Sequence, residues 1–205
     1  IGQTVVSVAR MTVQLLLVGF YLQFLFELDD WRLTTLWLVV MIVVADVSIL
    51  RGTHLCVRCF AAPLFLSLVV GTALPLFFFV ALLLRLPHCM HPQSVVPIAG
   101  MILGNCLRAD IVGIRTFYDS IRKSNRAYLR RLAAGASRAE AVRPYLRDAC
   151  SAALAPTVAS MATIGLVALP GMMTGVILGG SDPATAIRYQ IAIMIAIFCG
   201  TAVTV

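Results

Sequence analysis

Four consecutive residues, His88, Cys89, Met90 and His91, carry donor atoms that bind transition metals, and Pro87 and Pro92 flank them. Imidazole, thiolate and thioether suit borderline and soft ions. Adjacent residues reach one ion only across a turn, which the two prolines can supply. A second stretch, HLCVRC at 54–59, holds His54 and a CxxC pair. A structural zinc site takes four ligands, so a lone CxxC is weak evidence. Met172 and Met173 offer thioethers, but no His or Cys lies near them in sequence. Thioethers also fill irregular gaps, and packing is the stronger reading here. Asp46, Arg108 and Asp110, with Asn105 close by, are polar or ionisable groups inside apolar sequence. Such groups mark substrate paths in membrane proteins, although Asp46 is near enough to a helix end to reach the interface. Neither a GxxxxGK[ST] loop nor an HExxH pair is present. No catalytic set emerges, and any ATP hydrolysis belongs to another chain.

Those residues must be positioned by elements that live in lipid. Of the 205 residues, 60% are hydrophobic and only 12% charged. A soluble domain of this size could not hide so much apolar surface. The six cysteines include Cys106 and Cys199 inside apolar runs, which argues against a disulfide framework. The first residue is Ile1, and the sequence stops at Val205 inside an apolar run, so both ends are expected to be truncated.

A helix crossing the hydrocarbon needs about 20 apolar residues. Six stretches qualify as candidates: Met11–Leu28, Leu33–Leu50, Phe60–Leu84, Val95–Ile114, Ser151–Ala168 and Ala184–Val205. None alternates as a strand does. The predicted class is an all-α polytopic membrane protein, read as one transmembrane domain over 1–205. Basic residues orient it. Arg10, Arg51, Arg58 and the segment 115–148 fall on one side under strict alternation, leaving only Arg32, Arg85 and Arg188 on the other. The positive-inside rule places 115–148 in the cytoplasm. That bias also accounts for the net charge of +7 without nucleic acid.

Within 115–148, Tyr118, Ile121, Tyr128 and Leu132 recur at helical steps, so helix is expected to continue from the fourth span until AAGAS (133–137) breaks it. Ser137 with Glu140 three residues on reads as a capping box opening a second, short helix. LPGMMTGVILGG at 169–180 interrupts the apolar sequence again. Pro170 suits the first position of a new helix, and the ten residues Gly171–Gly180 are too few to span. Gly171, Gly175 and Gly179 share one face, as do Gly100 and Gly104, which predicts close backbone packing.

VARMTVQLLLVGFYLQFLF (8–26), VPIAGMILGN (96–105), LAAGASRAEAV (132–142), RDACSAALAPTVASMATIGLVALPGMMTG (147–175) and DPATAIRYQI (182–191) together resemble the FetB-type permeases. These are membrane subunits of an iron-export ABC transporter, formerly an uncharacterised membrane family. The resemblance runs through the whole chain in order. It implies about seven spans in the full protein, a plasma-membrane location and a cytoplasmic C-terminus. It also implies a separate cytoplasmic ATPase that holds ATP and Mg, with two copies of each subunit and no cofactor in this chain. Arg130, Arg131, Gly135, Ala136, Ser137 and Glu140 then resemble the element that couples to the ATPase. Asp46 and the HCMH loop depart from the family pattern and inherit no role. The family has plant relatives linked to aluminium tolerance and nucleotide-sugar export, so the resemblance leaves the substrate open. The expectation is metal-ion export, iron first. The alternatives are a nucleotide sugar such as UDP-glucose, for which Arg108 and Arg115 would suit a phosphate, or an ATPase-coupled complex that signals or remodels lipid.

Overall fold

A computed structural model describes residues 2–28, 30–53, 55, 57–80, 92–166, 170–180 and 182–205. The described residues form eight helices: α1 (Gly2–Leu28), α2 (Trp31–Thr53), α3 (Val57–Phe79), α4 (Pro92–Lys123), α5 (Asn125–Ala133), α6 (Arg138–Thr163), α7 (Gly171–Leu178) and α8 (Pro183–Thr204). The protein is all-α and polytopic. Five of these helices are long and apolar enough to cross a membrane: α1, α2, α3, α4 and α8.

The 32-residue α4 is the hub and packs against α2, α3, α6 and α8. Ile102 and Cys106 on α4, Ile49 on α2, Leu68 on α3 and Ile193 on α8 are fully enclosed in the core. Apolar side chains elsewhere on α1, α2, α3 and α8 face outward, as lipid-facing helices require. α1 is attached only towards its C-terminal end, where Leu25 is buried and Tyr21 stacks on Trp37 of α2 at 4.2 Å between ring centres. Pro63 and Pro75 sit inside α3 and Pro97 inside α4, a tolerated placement in a bundle whose neighbours satisfy the freed backbone.

Four expected boundaries move. The helix leaving the fourth span does not run unbroken to 133. It stops at Lys123, and Ser124 takes a non-helical φ of −109° and ψ of 28° before α5 begins. The Tyr145 hydroxyl donates to the Ser124 carbonyl at 3.4 Å and holds that break. The helix opened by Ser137 is not short. α6 continues through Pro144 into the apolar stretch, so the basic segment and the fifth apolar stretch are one 26-residue helix. That stretch ends at Thr163 rather than Ala168, because Ile164 turns extended and Gly165 takes φ +86°. Finally, Pro170 is the N-cap residue of α7, with φ −63° and ψ 140°, and Gly171 is the first helical residue.

Candidate functional site

The basic end of the molecule is built around the turn between α5 and α6. Gly135 stands at φ +91°, a conformation that L residues avoid for steric reasons. Its N–H donates to the Leu132 carbonyl at 3.1 Å, and the Ala136 N–H donates to the Arg131 carbonyl at 3.1 Å. These two bonds form a Schellman motif and close the C-terminus of α5. On the other side of the turn, Ser137 and Glu140 form the capping box. The Ser137 N–H donates to Glu140 Oε2 at 2.8 Å, and the Glu140 N–H donates to Ser137 Oγ at 3.3 Å. The backbone hydrogen bond from Ser137, then the one from its hydroxyl, hold the Glu140 carboxyl below the usual glutamate range.

Tyr145 fastens α5 to α6. Its ring meets Tyr128 edge-on at 6.4 Å, and the Arg131 guanidinium lies 5.8 Å from its centre. Arg130 carries no such contact and belongs to the exposed face of α5. Tyr145 carries no motif that sequence reading could flag. Its one signal is that it falls four residues after Ala141 and four before Ala149 on the buried face of α6.

Inside the bundle the polar residues separate into different places. Asn105 and Arg108 line one cavity of about 450 Å³ between α4, α6 and α8, with Thr157 and Ser160 opposite. Asn105 donates its side-chain amide to the Met101 carbonyl at 2.7 Å. Asp110 lines a different cavity, walled by α3, α4, α6 and α8. Asp46 is 7% exposed, and its Oδ1 has no hydrogen-bond partner among the described residues. Arg115, expected beside Arg108, instead donates Nε to the Gly52 carbonyl at 3.0 Å and so ties α4 to the C-terminal end of α2. A phosphate would have to compete with that bond.

The glycine predictions are redistributed. Gly171 and Gly175 have no other atom of this chain within reach of a Cβ, and Gly179 meets only carbonyls of its own helix. Among the described residues the glycine face of α7 is therefore not a packing surface. Gly104 is likewise open, and Gly100 approaches only the Met41 methyl at 3.3 Å. The close backbone crossing lies at Gly71 and Gly200, where α3 meets α8. Gly71 follows Ser67, and Gly200 follows Ala196, at small-xxx-small spacing, a signal that attention to Gly–Gly pairs alone passes over. Met172 packs against the hydrophobic core and Met173 is half-buried. Among the described residues no three His, Cys, Asp or Glu side chains come together. His88, Cys89, Met90 and His91 lie outside the described residues.

With this geometry in place, comparison with known proteins is decisive about kinship. A model of an uncharacterised protein family, UPF0014, matches residues 2–205. The chain belongs to the UPF0014 family. It is 34% identical to the UPF0014 membrane protein slr1647 of Synechocystis over 94% of this chain and 74% of that one. It is 35% identical to the "Probable iron export permease protein FetB" of Escherichia coli over 91% of this chain and 71% of that one. It is also 34% identical to the protein ALUMINUM SENSITIVE 3 of Arabidopsis thaliana, over 94% and 69% respectively. No solved structure matches. This UPF0014 member is thus a multi-pass membrane protein of the FetB type, akin to a named permease.

Proposed function

We propose that the protein is the membrane-spanning subunit of an ATP-driven exporter and that it moves metal ions, iron first. A separate cytoplasmic ATPase supplies the energy, and two copies of each subunit form the working unit. The observation that carries this reading is α6. It starts at the capped turn of the basic end, packs along the hub helix α4 and reaches the apolar interior without a break. A partner that pushes on Arg131, Gly135 or Glu140 thereby pushes on helices lining both polar cavities. The excess of basic residues on α4, α5 and the start of α6 favours the cytoplasm for this end, and with it for the C-terminus. The name of the E. coli relative favours iron as cargo.

A second reading keeps the machine and changes the cargo. Arg108 lines a cavity large enough for a small organic molecule, which suits a phosphorylated solute such as UDP-glucose. One measurement separates the two. The full-length permease is co-expressed with its ATPase, reconstituted in liposomes, and assayed for ATP hydrolysis with Fe, Mn, Zn, Cu and UDP-glucose added singly. Selective stimulation by iron supports metal export, and stimulation by UDP-glucose alone replaces it with the second reading. A stable complex indifferent to all five overturns both in favour of a signalling or lipid-remodelling role, and no complex at all removes the ATPase.

A further inference from the structure

Asp110 is 4% exposed, and neither of its carboxylate oxygens has a hydrogen-bond partner among the described residues. It forms part of the wall of a cavity of about 350 Å³ enclosed by α3, α4, α6 and α8. Ser67 and Thr204 bring hydroxyls to that wall beside Asp110, and the half-exposed Tyr118 brings a third at its rim. Ser67 donates to the Thr204 carbonyl at 3.1 Å, and Thr204, beside Asp110, donates to the Thr201 carbonyl at 3.3 Å. Both protons are thus directed to backbone carbonyls, while both hydroxyl oxygens keep free lone pairs. Among the described residues the lining includes no Lys, Arg or His and no second acid.

This wall presents oxygen acceptors around one formal negative charge. A buried carboxylate short of donors is costly in apolar surroundings unless it takes up a proton or a positive charge compensates it. One carboxylate balances one charge. A divalent ion would leave a net positive charge in low dielectric, which is itself penalised. Carboxylate and hydroxyl oxygens suit hard cations rather than soft ones. We infer that the Asp110 cavity binds one hard monovalent cation of the sodium type, held by the Asp110 carboxylate with the Ser67 and Thr204 hydroxyl oxygens. The site is distinct from the Asn105–Arg108 cavity and does not depend on which cargo the protein exports. Its ligands come from α3, α4 and α8, so the bound ion joins those three helices.

The test is thermal unfolding of the purified full-length protein in detergent, in sodium chloride against choline chloride at equal ionic strength. An ion that binds only the folded state raises the midpoint by mass action. The wild type should show a saturable rise of about 5 °C in sodium. Asp110→Asn should abolish the sodium-dependent part even if its midpoint in choline changes, while Asp46→Asn keeps it. Thr204→Val and Ser67→Ala, which leave the acid in place, should each raise the half-saturating sodium concentration about tenfold, the loss of one ligand. No sodium response in the wild type, or an unchanged response in Asp110→Asn, overturns the site. A micromolar Mn²⁺ response that Asp110→Asn removes, with sodium inert, overturns the monovalent assignment.

Discussion

A Cβ atom on Gly200 would stand 2.7 Å from the carbonyl oxygen of Gly71 and 2.8 Å from the Ile102 side chain. α3 and α8 therefore cross at backbone contact, with α4 closing the third side. Gly200→Ala should destabilise the protein by about 1–3 kcal/mol, the usual cost of overpacking. Gly104→Ala meets nothing within 4 Å and should be neutral, or stabilise by up to about 1 kcal/mol through helix propensity. Thermal unfolding of the two variants side by side checks the contrast. Equal effects would remove the crossing as a structural determinant.

Gly135 has open space around its Cα, so substitution there is opposed by conformation rather than by crowding. Gly135→Val should cost about 1–2 kcal/mol locally and distort the turn between α5 and α6. Gly135→Asn should be milder, because Asn tolerates the left-handed region. With the ATPase bound, the valine variant should retain complex formation and global stability but lose substrate-stimulated hydrolysis. Full stimulation in Gly135→Val would separate this turn from coupling.

The capping box adds a pH signature. The folded-state value of Glu140 lies below its ordinary 4.5. Its contribution is therefore complete above about pH 4.5 and is lost as pH falls through the lower folded-state value. Ser137→Ala should weaken the start of α6 by about 1 kcal/mol at neutral pH and erase that acidic transition. Hydrogen exchange at Ser137–Ala141, tracked from about pH 6 downward, reads both effects. An acid dependence unchanged by Ser137→Ala would assign it to another group.

Arg115 and Arg108 should behave differently although both lie on α4. Arg115→Ala frees the Gly52 carbonyl and should destabilise the junction of α2 and α4 by about 1–2 kcal/mol without altering cargo preference. Arg108→Ala, at a cavity wall, should leave stability unchanged yet abolish stimulation by UDP-glucose if that is the cargo. Unfolding midpoints and stimulated ATPase rates of the two variants distinguish the roles.

The sequence carried the helices and the capped turn because both are local. Apolar length marks α1 to α4 and α8, and Ser137 with Glu140 announces a helix start. What local pattern could not carry is which surfaces meet. Gly171 and Gly175 have the spacing of a packing face yet a Cβ there meets none of the described residues, whereas Gly71 and Gly200, each paired only with Ser67 or Ala196 at that spacing, make the close crossing. Arg108 and Asp110 are neighbours in sequence but line separate cavities, because two residues along a helix are displaced by about 200° around its axis. Tyr145 braces a break at Ser124 that helical periodicity alone had concealed.

The closed turn at Ala134–Ser137 has a mechanical consequence. Both helix ends that meet there are capped, and Tyr145 braces the corner to Ser124, Tyr128 and Arg131. The corner acts as a bracket rather than as a hinge. A force applied to it arrives in the bundle as torque on α4 and α6 together. Spin labels on Arg126 and Arg143 should accordingly keep their mutual distance through the ATPase cycle while both shift relative to α8.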